Sequence, residues 1–367
     1  MGLGLAGSLL AMVGCSSGKG TAASDTTVTE TEQAATARSV AVPAFSADSA
    51  FAYLKKQVSF GPRVPNSTAH RAAGDWIVSE LQRHGAEVHE QRTDLTAFDG
   101  TVLHARNIFA RYNPETTDGR LLLMAHYDTR PWADQDPDES RRKSPADGAN
   151  DGASGVAVLL ETARNFAASN PGKGIDILLT DAEDYGTDNN EDSWAMGTRY
   201  FAENMVSRCW TPSQAILLDM VGGKNASFPY EYFSRRSAAR LDDIFRASAA
   251  TAGYSSLFPN VMGGAVTDDH IELIKKGIPA IDIIDYDPQQ GFNPTWHTHA
   301  DNIDNIDPAT LKAVGQSLLQ FIYSDYGNQY QYRPATARKL KKDTTHRYGL
   351  YTGTDMARHG AHRDAGH

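Results

Sequence analysis

Four short runs, Leu121–Ala125, Ile175–Thr180, Ala215–Leu218 and Ala280–Ile284, are of strand length, and they alternate with helical stretches at 69–84, 154–168 and 308–324. Strands that read as near-continuous apolar segments are buried on both faces, which calls for a mostly parallel sheet covered by helices on both sides. The expected fold class is therefore α/β: a single three-layer domain over residues 45–332 with one large core. No internal repeat breaks the pattern. The last helix is the clearest: Asp307 is the expected N-cap, Pro308 sits where a missing N–H costs nothing, and Leu311, Val314, Leu318, Leu319 and Ile322 form a stripe. At the other end Ser46 is the expected cap of a helix carrying Phe51, Leu54 and Val58 on one face.

Composition bounds the remainder. The chain has 367 residues, 40% hydrophobic and 22% charged, which excludes general disorder, collagen and a disulfide scaffold. The longest apolar run, Met1 to Val13, is shorter than the roughly 20 residues a membrane-crossing helix needs. That run ends in Val13-Gly14-Cys15-Ser16, which resembles a bacterial lipoprotein signal, so residues 1–15 are expected to be a signal segment with Cys15 as the lipidated residue. Residues 16–44 follow as a flexible tether, since 16–42 hold ten Ser/Thr and no aromatic residue. The expected location is the bacterial cell envelope, lipid-anchored and facing the periplasm or the exterior. Cys209 is left without a disulfide partner and reads as a small core hydrophobe.

Charge is unevenly spread. Residues 333–367 carry 8 Lys/Arg against 3 Asp/Glu and read as a basic, disordered tail, whereas residues 1–332 carry 27 against 42. An acidic body disfavours nucleic acid, whose binding depends on neutralising phosphates, and suits a substrate with a positive amino end.

Chemistry enters where each run stops. Ionisable residues follow at once in Ala125-His126-Tyr127-Asp128, Thr180-Asp181-Ala182-Glu183-Asp184 and Leu218-Asp219, and two later clusters are Asp268-Asp269-His270 and Trp296-His297-Thr298-His299. The carboxyl ends of strands in open α/β sheets converge on one crevice, so these groups are expected to meet in space. Carboxylates gathered at one place repel and take up protons unless a cation sits among them. A metal is the simplest resolution. Between the first two strands lies Gly148-Ala149-Asn150-Asp151-Gly152-Ala153-Ser154-Gly155, whose small residues let the backbone turn sharply and bring the Asp151 carboxylate close to an ion.

In this order, His126-Tyr127-Asp128, Gly148–Asp151, Glu183-Asp184, Leu218-Asp219 and His297 resemble the zinc aminopeptidase-type exopeptidases and their relatives, the animal-type glutaminyl cyclases. The resemblance covers roughly residues 45–330. Phe60-Gly61-Pro62-Arg63-Val64-Pro65-Asn66-Ser67, Asp268-Asp269-His270-Ile271 and the Trp296 before His297 favour the cyclase branch. It implies one zinc per chain held by Asp151, Asp184 and His297, with a fourth position open for water or substrate. Glutamate is commoner than aspartate at the position of Asp184. The resemblance also implies Glu183 as acid/base, Asp219 and Asp268 joined by a proton-sharing hydrogen bond beside it, and Trp296 and Trp194 as the apolar wall of the substrate pocket.

The reaction so implied converts an N-terminal glutamine of peptides or proteins to pyroglutamate with release of ammonia. Two alternatives stay open. One is a dizinc aminopeptidase, in which His126 and Asp219 bind a second ion; the other is a catalytically inactive surface binding protein. The partners expected are peptide N-termini bearing Gln, with no nucleic acid and no membrane contact beyond a lipid anchor. Taken singly, His126 and His297 are also compatible with satisfied core histidines, the reading favoured for His84, His89, His104 and His299. Trp76 and Trp210 read as packing residues. Asp134-Gln135-Asp136-Pro137-Asp138-Glu139 lacks the glycine and terminal glutamate of a calcium loop and reads as a solvated loop near the cleft mouth.

Overall fold

The computed structural model describes residues 41–117, 119–188, 190–205 and 212–324. The segment read as signal, most of the tether, the basic tail, Cys209 and Trp210 lie outside the described residues. In chain order come helices α1 (Ala47–Val58) and α2 (Thr68–Arg83), strands β1 (Glu87–Thr96), β2 (Val102–Tyr112) and β3 (Leu121–His126), and helix α3 (Ser154–Ala168). Then follow β4 (Ile175–Thr180), α4 (Met196–Glu203), β5 (Gln214–Asp219), α5 (Tyr232–Thr251) and α6 (Asp269–Lys275). The order closes with β6 (Ala280–Ile284), the two-residue strands β7 (Tyr286–Asp287) and β8 (Gly291–Phe292), and α7 (Pro308–Tyr323).

One six-stranded sheet runs β1-β2-β4-β3-β5-β6, with β4, β3, β5 and β6 parallel and the β1–β2 hairpin antiparallel at one edge. Alternate residues serve opposite layers. Leu123, Leu179, Ile216 and Leu218 pack with Leu54, Ile77, Val156, Leu241 and Leu318 of α1, α2, α3, α5 and α7. Leu122, Met124, Leu178 and Leu217 pack with Phe201 of α4 and Leu273 of α6. The three-layer α/β expectation holds, with the inner strands of the six-stranded sheet packed between helices on both faces.

The cap chemistry is as expected too. The Ser46 side chain accepts from the Ser49 amide and Asp307 from the Ala309 amide. Helix α3 rests directly on the sheet, since a Cβ on Gly155 would lie 2.1 Å from the Leu218 carbonyl oxygen. Two expectations need correction. His89 and His104 are not core histidines: their side chains are 42% and 71% exposed and pair with Glu87 and Asp94 at the solvated edge. His84 is buried and bonded to the Tyr53 hydroxyl at 2.8 Å, and Trp76 packs against Tyr53 and Phe60.

The chain passes from β3 to β4 on one side and then to β5 on the other. A crevice therefore opens beside β3 at the carboxyl ends of the parallel strands. The clustered ionisable residues lie there.

Candidate metal centre

Five segments supply the side chains: the end of β3 (His126), the turn before α3 (Asp151), the loop after β4 (Glu183 and Asp184), the end of β5 (Asp219) and the loop before α7 (His297). Asp151, Asp184 and His297 present ligand atoms that all lie within 4.8 Å of one another, and all three residues are buried. His297 Nε2 is 3.2 Å from Asp184 Oδ1 and 3.6 Å from Asp151 Oδ2. Donors 2.0–2.2 Å from a shared tetrahedral centre stand roughly 3.3–3.6 Å apart, so the spacing suits zinc. The donor set, two carboxylates and one imidazole with room for a fourth ligand, fits as well. Burial first and then the Asp151 charge raise the Asp184 pKa, which is the strain a cation relieves.

Local structure explains the placement. Gly152 has φ of +94°, and a Cβ there would lie 2.3 Å from the Asp128 carbonyl oxygen. Only glycine lets the Asp151 turn pass so close to the end of β3. The turn is fastened from two sides. Asp301 accepts from the Asn150 and Asp151 amides at 2.7 and 3.1 Å, and the wholly buried Arg63 donates to the Tyr127, Asp147 and Gly148 carbonyls. The Asp128 carboxylate does the same for the loop after β4, accepting from the Glu183 and Asp184 amides, each at 3.2 Å. Ala182, Ala195, Met220 and His297 all hold left-handed backbone around this site (φ +53°, +51°, +48° and +53°), a cost other contacts must offset.

The loop at Asp134–Glu139 corrects the sequence reading. It is not merely solvated. Asp134 Oδ1 lies 3.4 Å from His297 Nδ1, the ring nitrogen turned away from the trio, and Asp136 accepts from the His299 amide and ring at 2.9 and 2.7 Å. Asp134 is itself paired to Arg130 at 2.6 Å, and Arg130 also reaches the Asp184 carbonyl. A carboxylate behind a ligating histidine fixes its tautomer and ring orientation. His299, read as a satisfied histidine, is one. Roles for Arg130, Asp134, Asp128 and Asp301 were not legible in the sequence; the pairing of an alternating acidic run with His297-Thr298-His299 was the available signal.

Glu183 is buried beside the trio but outside it, with Oε2 4.0 Å from His126 Nδ1. Burial, opposed by the His126 charge and reinforced by Asp268 and Asp184, pushes its pKa well above the usual carboxylate range. Burial and the Asp219 charge do the same for Asp268. The expected Asp219–Asp268 hydrogen bond is absent among the described contacts: Asp219 meets His126 Nε2 at 3.1 Å and accepts from the Met220 amide, while Asp268 caps α6 through the Asp269 amide. The two carboxylates interact through charge. His126 Nε2 also lies 3.0 Å from Asp151 Oδ1, so His126, Asp151 and Asp219 form a second group of potential ligands.

Above these groups is a cleft of about 180 Å³ lined by Trp194, Trp296, Phe292, Met220, Glu183 and Asp268, among others. The Trp296 ring stacks on His297 at 3.7 Å between centroids, and Trp194 lies parallel to His297 at 6.2 Å. Both tryptophans therefore flank the metal trio, and Gly186 leaves the space that Trp194 fills.

Comparison with known proteins agrees with this geometry. Residues 107–322 match the model of peptidase family M28. The chain belongs to peptidase family M28. Among solved structures of M28-like architecture, it is similar to a Bacteroides thetaiotaomicron glutaminyl cyclase bound to N-acetylhistamine, with 47% identity and a TM-score of 0.76 over 77% of this chain and 99% of that one. It is also similar to a Zn-dependent exopeptidase from Parabacteroides distasonis, with 52% identity and a TM-score of 0.75 over 77% of this chain and all (100%) of the other. The glutaminyl-peptide cyclotransferase of Bos taurus is 28% identical over 71% of this chain and 77% of its own length. The chain is thus an M28 enzyme with glutaminyl cyclase and exopeptidase relatives.

Proposed function

We propose that this M28 enzyme is a glutaminyl-peptide cyclotransferase that closes N-terminal glutamine to pyroglutamate and releases ammonia. The observation that carries the reading is Glu183: a buried acid, not a member of the metal trio, that lines with Asp268 a small cleft walled by Trp194 and Trp296. Asp151, Asp184 and His297 would hold one zinc, which when bound supplies a Lewis acid to polarise the side-chain amide carbonyl.

The chain's own residues do the rest. Trp194 and Trp296 pack the glutamine side chain and exclude water, which suppresses hydrolysis of the peptide. Glu183 accepts a proton from the α-ammonium. The freed amine attacks the amide carbon and a C–N bond forms; Glu183 returns its proton to the departing nitrogen as the old C–N bond breaks and takes the second proton shed by the ring nitrogen, so the products are the lactam, ammonia and one proton passed to solvent. An acid with a raised pKa suits both halves of that cycle. A cation at the trio would favour the ionised form of Glu183 and so oppose that rise. Because nucleophile and electrophile share one molecule, orientation supplies much of the remaining rate. Asp219 and Asp268 add negative charge that favours the incoming ammonium.

The second reading, a dizinc aminopeptidase, is favoured by the His126, Asp151 and Asp219 group and by the exopeptidase relative. One experiment separates them. The zinc-loaded protein is incubated with a glutamine-initiated peptide and with leucine anilide; ammonia without aniline supports the cyclase, and aniline without ammonia rejects it. The same protein analysed for metal should carry one tightly held zinc per chain, where two favour the peptidase.

A further inference from the structure

Next to the metal trio, surface loops bring together a serine, a histidine and a carboxylate that the reaction above does not use. The loop at 133–139 lies between the turn at 141–144 and the loop before α7: the Ala133 amide donates to the Ser144 carbonyl at 2.9 Å and the Gln135 amide to the His297 carbonyl at 3.1 Å. Asp134 faces His297 across this contact, and two residues further along each segment Asp136 faces His299. The first pair serves the metal trio. The second is completed by Ser144, whose hydroxyl oxygen is 3.0 Å from His299 Nε2, while His299 Nδ1 is 2.7 Å from Asp136 Oδ2.

Each contact has a direction. Hydrogen bonds from the His299 amide, the His299 ring and the Asp138 amide hold the Asp136 carboxyl well below the usual carboxylate range, so it is an anion. An acceptor only, it keeps the ring proton on Nδ1 of His299. Nε2 of the neutral ring is then an acceptor, and the group it meets is the Ser144 O–H. The hydroxyl has a second acceptor, the Arg141 carbonyl at 2.7 Å, which it reaches by turning about its Cβ–Oγ bond. Exposure rises along the chain of contacts: Asp136 is 3% exposed, the His299 side chain 16%, and Ser144 is open to solvent. An orienting anion, a base and an accessible hydroxyl within hydrogen-bond reach of one another are the parts of an activated serine.

We propose that Ser144, His299 and Asp136 form a second catalytic site beside the metal trio, an acyl-transfer site that hydrolyses small carboxylic esters with a good leaving group. Ser144 Oγ attacks the ester carbonyl carbon and gives its proton to His299 Nε2; as the ester C–O bond breaks, that proton passes to the leaving alcohol. Water then attacks the acyl carbon and gives a proton to Nε2, and Ser144 Oγ takes this proton back as the carboxylic acid departs. Arg141 and Lys143, exposed on the same turn, put positive charge next to Ser144, which suits the negative charge that develops on the carbonyl oxygen. Asp136 touches no substrate and acts through His299. Nothing in this site depends on the cyclase reading.

The test uses the zinc-loaded full chain and p-nitrophenyl acetate, an aryl ester. The expected result is turnover of the ester with an acetyl group on Ser144, located by mass spectrometry of the digested chain after an early quench. Ser144→Ala, which removes one hydroxyl at an exposed position, should lose both the label and the turnover. His299→Gln should acetylate Ser144 more slowly by at least about 100-fold, the low end for a lost general base. Asp136→Asn turns an N–H toward the ring and favours the wrong tautomer, so it should slow acetylation too, with zinc content unchanged, a separation that a collapsed loop would not show. Acetyl groups confined to lysines, Ser144 labelled equally fast in His299→Gln, or undiminished ester turnover in Ser144→Ala would overturn the proposal. Should His299→Gln fail to fold, Ser144→Ala and the position of the acetyl group still decide. A wild type that turns over the ester but not the glutamine-initiated peptide would count against the cyclase reading alone.

Discussion

At the scale of single residues, the site is built from side chains whose neighbours matter as much as their identity. Glu183 and Asp184 adjoin in sequence, yet one joins the trio and the other does not, because Asp128 clamps both amides and turns successive side chains apart. Glu183→Gln should therefore retain zinc while turnover falls by at least about 100-fold, the low end for a lost acid/base; normal turnover would remove Glu183 from the chemistry. Asp134→Asn tests the support behind His297. Zinc affinity, read by competition with a chelator, should weaken about 10–100-fold, with Glu183 untouched. The crevice was legible in the sequence, since ionisable residues directly after apolar runs converge there, and the trio within it was implied by the resemblance of the motif order to the zinc exopeptidases and glutaminyl cyclases. The second layer was not: Asp134 meets His297 across more than 160 residues, and nothing local in an acidic loop says which histidine it faces.

At the scale of elements, legibility followed burial. Strands buried on both faces, such as Ile175–Thr180, and helices with a full apolar stripe, such as Pro308–Tyr323, stood out. The β1–β2 hairpin did not, because β1 (EVHEQRTDLT) is a polar edge strand with half-exposed residues throughout, and its register comes from β2. Helices α4 and α6 span only eight and seven residues, too short for a stripe to repeat, and α5 is rich in Ala and Arg, which dilutes its large apolar side chains. The Asp151 turn is an element whose geometry is set by one glycine. Gly152→Ala puts a Cβ into the Asp128 carbonyl at a left-handed position, so the turn must move. The variant should lose at least about 1 kcal/mol of stability and most of its zinc affinity, measured by thermal unfolding and metal content. Retained zinc at wild-type affinity would show that the turn can deform without cost to the site.

At the scale of the whole molecule, the centre ties β3, β4, β5 and the loops before α3 and α7 into one unit, so metal and protons are linked to folding. Without a cation, burial pushes the Asp301 carboxyl up to about 7 and Asp269 to about 6. The native apoprotein therefore binds more protons than the unfolded chain, and its stability should fall as pH rises from about 3.9, the unfolded carboxyl value, to about 7. His126, raised by its carboxylate partners against burial, adds to the loss only as pH climbs through its own higher value. Asp134 and Asp136 are held low, so their contribution is complete above about 4 and does not alter the slope. Zinc should reverse much of the deficit at pH 7, by about 2.7 kcal/mol at a hundredfold excess over its Kd. Melting curves with and without chelator across this range check the sign; an apoprotein that gains stability toward pH 7 would contradict it.

The sequence by itself determined the layered α/β fold and the end of the sheet where chemistry occurs, because alternation of apolar runs and adjacency of charge to strand ends are local properties of a chain, while the three residues able to hold a metal were implied by the resemblance of its motif order to a known family. Only the tertiary structure decided which carboxylate braces which histidine and that Asp219 turns to His126 rather than to Asp268. Those outcomes depend on burial and on a few ångströms between residues far apart in the chain, and no spacing along the chain encodes such distances.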